Sequence, residues 1–185
     1  MIRKFTVIQV IIVAFIIIAL AVNNRASAQN NRNGTSGQAP QTTGVKPALK
    51  TGETPYAYCY GANINCTGSG CSQIKVKTPS DSDVLVTLKQ NERVVAHAYI
   101  SASSSYTFQV PDGTYQPFFY YGRNWDSDKV MTQTNCGTLR GGFAQNEHFG
   151  KDTPEKLNNH VLTYELILQQ NGNFSTIPSN QKEAF

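Results

Sequence analysis

One stretch, SSYTFQVPDGTYQPFFYYG at residues 104–122, constrains the fold of this chain more than any other. Apolar and polar side chains alternate over residues 105–110, which is the period of a strand with one buried face. Pro111-Asp112-Gly113 then interrupts the strand, because proline presets φ, aspartate hydrogen-bonds within its own turn, and glycine accepts positive φ. A second, aromatic strand follows over residues 114–121. The pattern predicts two antiparallel strands that a tight turn joins as a hairpin.

Similar strand patterns recur along the chain about ten residues apart, with turn residues between them. The clearest are residues 73–77, 84–90 and 94–100. No segment shows a convincing helical period, and short strands at this spacing are typical of sandwiches with about seven or eight strands. We therefore expect an all-β fold, a single antiparallel β-sandwich with an Ig-like or transthyretin-like Greek key, formed by residues 56–185.

The pattern weakens after residue 122. Residues 123–134 are predicted to form a loop that exposes Trp125, and Thr153-Pro154-Glu155 could open one helical turn. Apolar side chains occupy both odd and even positions of residues 161–170, which is typical of a central strand covered on both faces. Asn171-Gly172 then matches a two-residue hairpin turn.

Residues 1–28 have the three parts of a secretory signal peptide. A basic pair at residues 3–4 precedes an unbroken apolar run at residues 10–22, and Ala26-Ser27-Ala28 is the small-x-small pattern that signal peptidase cuts. The alternative is an uncleaved membrane anchor, because residues 5–22 are just long enough to span a bilayer. We expect cleavage, and contact with a membrane only if this segment is kept.

Residues 29–55 are predicted to be a disordered linker. They are rich in Asn, Gly, Thr, Gln and Pro, and they contain almost no large apolar side chain whose burial could offset the entropy of ordering.

The net charge excludes one class of partner. The whole chain has 16 basic and 12 acidic residues, but three of the basic residues lie in the signal, so 13 remain and the net charge falls to +1. No basic surface is left to bind nucleic acid, and we expect no nucleic-acid partner.

The chain has four cysteines, Cys59, Cys66, Cys71 and Cys136. An exported protein meets an oxidising compartment, so we expect disulfides. Four cysteines allow three connectivities. We favour Cys66–Cys71, which closes a Gly/Ser loop, together with Cys59–Cys136. A zinc site is the alternative, but it normally needs a second closely spaced pair. We expect no metal and no cofactor.

Catalytic groups are scarce, and we predict no catalytic residue. A Cys/His hydrolase would have to pair Cys136 with His148 or His160, and no nucleophile elbow supports that pairing. The segment NWDSD at residues 124–128 offers oxygen ligands at alternate positions. It lacks the glycine and the distal glutamate of a calcium loop, so we expect a solvated acidic turn.

Aromatic side chains provide the main functional hypothesis. The four consecutive rings at residues 118–121 must point two to each face of their strand. One face is core, and the other either packs under a second layer or forms a surface that could bind a glycan or a protein. The candidate surface comprises Tyr56, Tyr58, Tyr60, Phe119, Tyr121 and Trp125. The alternative is that these rings only fill the interior.

Two resemblances add to these predictions. Residues 84–121, VLVTLKQNERVVAHAYISASSSYTFQVPDGTYQPFFYYG with its final glycine at 122, resemble transthyretin-like and PEGA-type sandwich modules. Residues 58–185, with GCSQIKVKT, ILQQNGNFST and a terminal EAF, resemble a group of exported bacterial proteins that has no assigned activity. The second resemblance implies a bacterial envelope or secreted protein and implies no site residues.

These features together predict an exported, non-catalytic protein of the bacterial envelope that acts as a binding or assembly module. It would be periplasmic, on the cell surface or secreted, and its partner would be an envelope glycan or another envelope protein. The first alternative is a structural subunit that pairs through an exposed edge strand formed by residues 56–60. A Cys/His hydrolase has the least support.

Overall fold

The computed structural model describes residues 48–166 and 176–185, and strands dominate this part of the chain. The predicted signal peptide, most of the predicted linker and the predicted Asn171-Gly172 turn lie outside the described residues. In chain order the elements are α1 (Ala57–Tyr60), β1 (Cys71–Lys77), β2 (Asp83–Gln90), β3 (Arg93–Ile100), β4 (Ser105–Pro111), β5 (Gly113–Thr134), β6 (Gly137–Lys151), β7 (Glu155–Leu157), β8 (Val161–Glu165), β9 (Ile177–Pro178) and α2 (Gln181–Ala184).

The described strands form two sheets. One has three strands in the order β4-β1-β8, and the other has the order β3-β2-β5-β6-β9, with β7 beside β5. Every pair is antiparallel except β1 and β8, which run parallel. The predicted all-β sandwich is therefore confirmed.

An apolar core fills the space between the two sheets, and we call it the inner cluster. Its members alternate along their strands with residues that point the other way, as a half-buried sheet requires. From the smaller sheet it takes Ile74, Val76, Phe108, Val110 and Tyr164, and from the larger one Val84, Val86, Leu88, Ala96, Ala98, Ile100, Tyr115, Phe119 and Tyr121, with Leu157 and Leu166 beside them.

The Pro111-Asp112-Gly113 turn is a corner between the sheets, so the predicted hairpin is wrong. β4 pairs with β1 in the smaller sheet, whereas β5 pairs with β2 in the larger one. The Asp112 backbone N–H donates to the Gly70 carbonyl at 2.8 Å, and the Ser72 hydroxyl donates to the Asp112 carboxylate at 2.6 Å. These bonds hold the turn on the smaller sheet while the chain leaves it.

Residues 123–134, predicted as a loop, are the second half of β5, and they pair with β6. The register of this pair shifts three times beyond Tyr121, and Asn124 and Gly141 have positive φ. Each bulge changes which face a residue occupies, so the period-two signal is lost although the strand continues. We call this extension, residues 123–143, the arm.

Two late predictions are also wrong. β8 is an edge strand among the described residues and not a central one, because only β1 pairs with it and Val161 remains 63% exposed. Glu155, predicted in a helical turn, begins the short strand β7, which pairs with β5.

Candidate binding surface

A second cluster covers the face of the larger sheet that points away from the sandwich, and we call it the outer cluster. Leu85, Tyr99 and Tyr120 supply it from the sheet, while the arm and the N-terminal segment cover them. Its buried members are Tyr56, Leu85, Tyr99, Tyr120, Met131, Leu139 and Phe143. The rings at residues 118–121 therefore do point two to each face, with Phe119 in the inner cluster and Tyr120 in the outer one.

The segment before β1 covers the edge of β3, and we call residues 51–64 the N-terminal cover. The Gly52 N–H donates to the Tyr99 carbonyl, and the Tyr99 N–H donates to the Glu53 carbonyl, both at 2.8 Å. Further along, the Ile64 N–H donates to the Val95 carbonyl at 3.0 Å. Part of the predicted linker is therefore ordered against the domain, which extends back at least to residue 51.

Residues 56–60 do not form the predicted edge strand. Ala57–Tyr60 form the single turn of α1, and Tyr56, the residue before it, is fully buried. Its hydroxyl donates to the Gly141 carbonyl at 2.6 Å, which joins the N-terminal cover to the arm. The edge-pairing alternative thus loses the strand on which it depended.

Both predicted disulfides are present. Cys59–Cys136 ties α1 to the tip of the arm, and Cys66–Cys71 closes the short Gly/Ser loop before β1. All four sulfurs are bonded, so none is available as a zinc ligand or as the nucleophile of a hydrolase. Two disulfides in one small domain indicate folding in an oxidising environment.

The predicted aromatic surface does not exist as a set. Tyr56 and Phe119 are fully buried and Tyr121 is 7% exposed, because Phe119 and Tyr121 point between the sheets. Trp125 was expected in an exposed loop. It is partly buried against Gly141, with its ring 5.2 Å from that of Phe143. Tyr60 is partly buried as well.

Tyr58 is the one member of that set whose ring is largely exposed, at 60%. Its hydroxyl accepts a hydrogen bond from the Arg140 N–H at 2.7 Å and donates one to the Arg140 carbonyl at 3.3 Å. The backbone N–H and carbonyl of Arg140 therefore point away from β5. The residue of β5 that lies opposite Arg140 is Val130. Val130 is 61% exposed. We call Tyr58, Val130 and Arg140 the arm patch.

Sequence reasoning identified Tyr58 and missed the other two residues of the arm patch. Val130 falls in the segment predicted as a loop, and no sequence pattern singles out Arg140. The strand pattern could not reveal them because the bulges of the arm fall on both sides of Val130.

A polar network supports the base of the arm. Lys129 forms an ion pair with Glu147, and its ammonium also donates to the Phe143 carbonyl. The Tyr120 hydroxyl donates to Glu147 at 3.1 Å and accepts from the Phe143 N–H at 2.8 Å. Burial is the main cause that raises the pKa of Tyr120, so this hydroxyl stays protonated as a donor.

His97 is buried on the outer face of β3, under the N-terminal cover. Its Nε2 accepts a hydrogen bond from the Tyr56 N–H at 3.0 Å, and its ring lies against those of Tyr56 and Tyr60. Burial lowers the pKa of His97 to about 4, although the Thr54 carbonyl acts in the opposite direction. The imidazole is therefore neutral at physiological pH.

Ser72, Asp112 and His160 bring together the residue types of a hydrolytic triad without its geometry. Ser72 donates directly to Asp112, and the backbone N–H of His160 donates to the Ser72 oxygen at 3.1 Å. Hydrogen bonds from Ser72 and from the Asn159 N–H lower the pKa of Asp112. The His160 ring bonds to the Asn158 carbonyl instead of the Ser72 hydroxyl, so the serine–histidine bond of a triad is not formed and the hydrogen bonds fix the corner.

Two other features carry no binding site. A shallow, open depression of about 550 Å³ is polar and contains an exposed Lys77–Glu165 ion pair. It is lined by Lys77, Thr78, Ser103, Ser104, Ser105 and Glu165. Residues 124–128, predicted as an acidic turn, lie within β5, where the Asp128 N–H donates to the Asp126 carboxylate. Over the described ranges, no three His, Cys, Asp or Glu side chains are grouped to hold a metal ion.

The described part of the chain also contains no helix that is long and apolar enough to cross a membrane.

Comparison with known proteins adds no identity to this geometry: no family model, curated protein or solved structure matches the chain.

Proposed function

We propose that this protein is an exported, non-catalytic binding or assembly module of a bacterial envelope, and that the arm patch contacts its partner. The two disulfides support an oxidising compartment. The predicted signal peptide and the resemblance to exported bacterial proteins support export to the periplasm, the cell surface or the medium.

The observation that carries the proposal is the state of Tyr58. The side chain of an exposed tyrosine normally samples several rotamers. The Tyr58 side chain is instead held in one position, because its hydroxyl bonds to both backbone groups of Arg140. Its ring is thus exposed and already ordered, so a partner that covers it loses less conformational entropy on binding.

The composition of the arm patch favours a protein partner. Tyrosine and arginine are the residue types that dominate the binding energy of protein interfaces. Val130 adds an apolar side chain beside Arg140. A partner of matching chemistry would present an apolar pocket for the Tyr58 ring and a carboxylate for the Arg140 guanidinium.

The arm is a suitable support for such a contact. Cys59–Cys136 fixes α1 to its tip and Tyr56 bonds to it near its base, so the positions of Tyr58 and Val130 relative to each other are fixed. An envelope glycan is the second candidate partner, because the exposed Tyr58 ring could stack on a sugar face.

Photocrosslinking tests the protein-binding proposal. A benzoylphenylalanine replaces Val130 in the exported protein, in the cells that naturally produce it, and a second variant carries it at Val161. Val161 is equally exposed at 63% but lies on the other sheet, so it is the matched control. We expect one defined protein adduct from position 130 and none from position 161.

Adding Tyr58→Ala should abolish the adduct from position 130, whereas Tyr58→Phe should only weaken it, because the ring remains but is no longer held by Arg140. Equal crosslinking from positions 130 and 161 would contradict the proposal. Sedimentation of the protein with isolated envelope polysaccharide, lost in Tyr58→Ala and without any adduct at position 130, would favour the glycan instead.

A further inference from the structure

The N-terminal cover blocks a strand edge with the chain's own backbone. In addition to the bonds at Gly52, Glu53 and Ile64, the Asn63 side chain accepts from the His97 N–H at 2.9 Å and donates to the His97 carbonyl at 2.8 Å. The Thr51 hydroxyl accepts from the Ser101 N–H at 3.0 Å. The Val95 carbonyl and both outward backbone groups of His97 and of Tyr99 are thus bonded to residues that precede β1, and this part of an edge that could pair with another chain is hidden.

His97 connects this cover to the sheet through its side chain as well as its backbone. The ring is fully buried, and the groups that lie on it, the Tyr56 and Tyr60 rings and the Tyr56 N–H, all belong to the cover. Water can therefore reach the imidazole when the cover lifts, while the inner cluster stays closed.

The hydrogen bonding of His97 permits only the neutral ring. Because Nε2 accepts from the Tyr56 N–H, the ring proton must be on Nδ1, and within the described residues Nδ1 has no hydrogen-bond partner of ordinary geometry. A second proton would have to go on Nε2, where it would face the Tyr56 N–H, a donor against a donor. It would also place a buried cation without a counter-charge.

The rings that lie on His97 belong to tyrosines, which do not titrate in the acid range. From the cover, Tyr56 and Tyr60 face the ring, and burial raises the pKa of Tyr60 to about 12 and that of Tyr56 still further. On the same face of β3, burial raises the pKa of Tyr99 as well.

From β2, the residue opposite His97 is the neutral Thr87. The next side chain on that face is Lys89, which donates to the Glu183 carbonyl and lies 5.1 Å from the Phe118 ring. Burial lowers the pKa of Lys89 from a value that is far above the acid range.

From this geometry we propose that His97 is an acid-sensitive latch: protonation of its ring releases the N-terminal cover and exposes the edge of β3. Cys59–Cys136 keeps α1 attached to the arm throughout, so the cover opens as a tethered segment and closes again when the ring loses its proton.

Amide hydrogen exchange on the intact, disulfide-bonded exported protein tests this inference. Protection factors, corrected for the intrinsic pH dependence of exchange, are measured at about pH 7.5 and about pH 5. The pKa of His97 falls from 6.5 to about 4 on burial, so the cover should open on the order of 30-fold more often at the lower pH. We expect this loss at the amides of Gly52, Ile64 and Tyr99, and none at the amides of β1 and β4.

His97→Gln keeps a neutral acceptor for the Tyr56 N–H and cannot become charged, so it should remove the pH dependence. His148→Gln is the matched control at an exposed histidine and should leave the dependence unchanged. The inference is overturned if His97→Gln retains the dependence, or if β1 and β4 lose protection to the same extent as the cover.

A second measurement does not depend on any variant. The ¹⁵N shifts of the His97 ring in the unmodified protein should show a proton on Nδ1 and none on Nε2 at neutral pH. A protonated Nε2 would contradict the latch, since the Tyr56 N–H would then have no acceptor.

Discussion

The inner and outer clusters lie on opposite faces of the same sheet, yet they are constructed differently. The inner cluster consists mainly of aliphatic side chains from strands that alternate regularly. The outer cluster has aromatic rings at four of its seven buried positions, Tyr56, Tyr99, Tyr120 and Phe143, and it draws them from the residue before α1 and from β3, β5 and β6. It also contains the hydroxyl of Tyr56, which needs a specific acceptor.

The two clusters show two ways in which a small domain can bury a face of the same sheet. Burial of aliphatic area between two sheets is non-directional, so a periodic pattern is enough to produce it. The outer face has no second sheet, and it is covered by a helical turn and an arm that are held by Cys59–Cys136 and by hydrogen bonds. We call the outer cluster, the arm and the N-terminal cover together the outer layer. We therefore expect the inner cluster to unfold only with the whole domain, and the outer layer to open locally.

The largest effect should come from the inner cluster. Phe119→Ala removes a fully buried ring between the sheets and should lower the free energy of unfolding by about 3–5 kcal/mol. Denaturant unfolding followed by far-UV circular dichroism measures this change. Trp125 is the only tryptophan and lies in the outer layer. Its fluorescence should therefore change at the same denaturant concentration as the circular dichroism signal. A separate, later fluorescence transition would show that the outer layer does not depend on the inner one.

Removal of the long disulfide should have the next largest effect. Cys59 and Cys136 are separated by 77 positions and Cys66 and Cys71 by 5, so the chain-entropy model gives about 4 kcal/mol for the first bridge and about 2 kcal/mol for the second. The paired variants Cys59→Ala/Cys136→Ala and Cys66→Ala/Cys71→Ala measure the difference. We expect the first pair also to shift Trp125 fluorescence towards that of a solvated indole at zero denaturant. Equal costs for the two bridges would contradict the separate role of the outer layer.

Acid should weaken the outer layer before the inner one. The pKa of His97 is about 4 in the fold and 6.5 when unfolded, so the unfolded chain takes up the proton first as the pH falls. The contribution of the neutral ring is complete above about pH 6.5 and is lost towards pH 4, up to about 3 kcal/mol.

If the N-terminal cover opens locally, the loss of global stability is limited to the free energy of that opening. Urea unfolding of the unmodified protein and of His97→Gln, from pH 8 to pH 4, separates this contribution from that of the carboxylates. A pH dependence that is the same in both proteins would assign the acid sensitivity to other groups.

The smallest effects distinguish two tyrosines of the same helical turn. Tyr56→Phe leaves the buried Gly141 carbonyl without its donor and should cost about 1–2 kcal/mol. Tyr58→Phe removes hydrogen bonds that water can replace at an exposed site, so it should change the free energy of unfolding by less than about 0.5 kcal/mol. Thermal unfolding of the two variants under identical conditions provides the comparison, and a larger loss for Tyr58→Phe would reverse the assignment of buried and exposed roles.

The sequence predicted the parts of the fold that follow a local period. β1, β2 and β3 lie where alternation placed them, and the favoured pairing of the cysteines is the one observed. The arm and β8 were misjudged for a different reason. Bulges break the period of the arm. The apolar run at residues 161–170 contains no information on whether one strand or two will pair with β8.

The candidate site could be predicted only in part. Tyr58 was proposed from the aromatic row at residues 56–60, but the same row contains Tyr56, which is buried. Both tyrosines hydrogen-bond to the arm, and nothing local to residues 56–60 shows that Tyr56 will be buried there and Tyr58 exposed.

The all-β class, the half-buried strands and the cysteines that can bridge them follow from the amino-acid sequence, because alternation and cysteine content are properties of neighbouring residues. Three other features depend on how distant segments pack: the corner at Pro111-Asp112-Gly113, the burial of His97 under the N-terminal cover, and the exposure of Tyr58 beside Arg140. Those outcomes depend on contacts between residues 40 to 85 positions apart, such as Tyr56 with His97 and with Gly141. A local pattern contains no information about which distant segment will cover a given face.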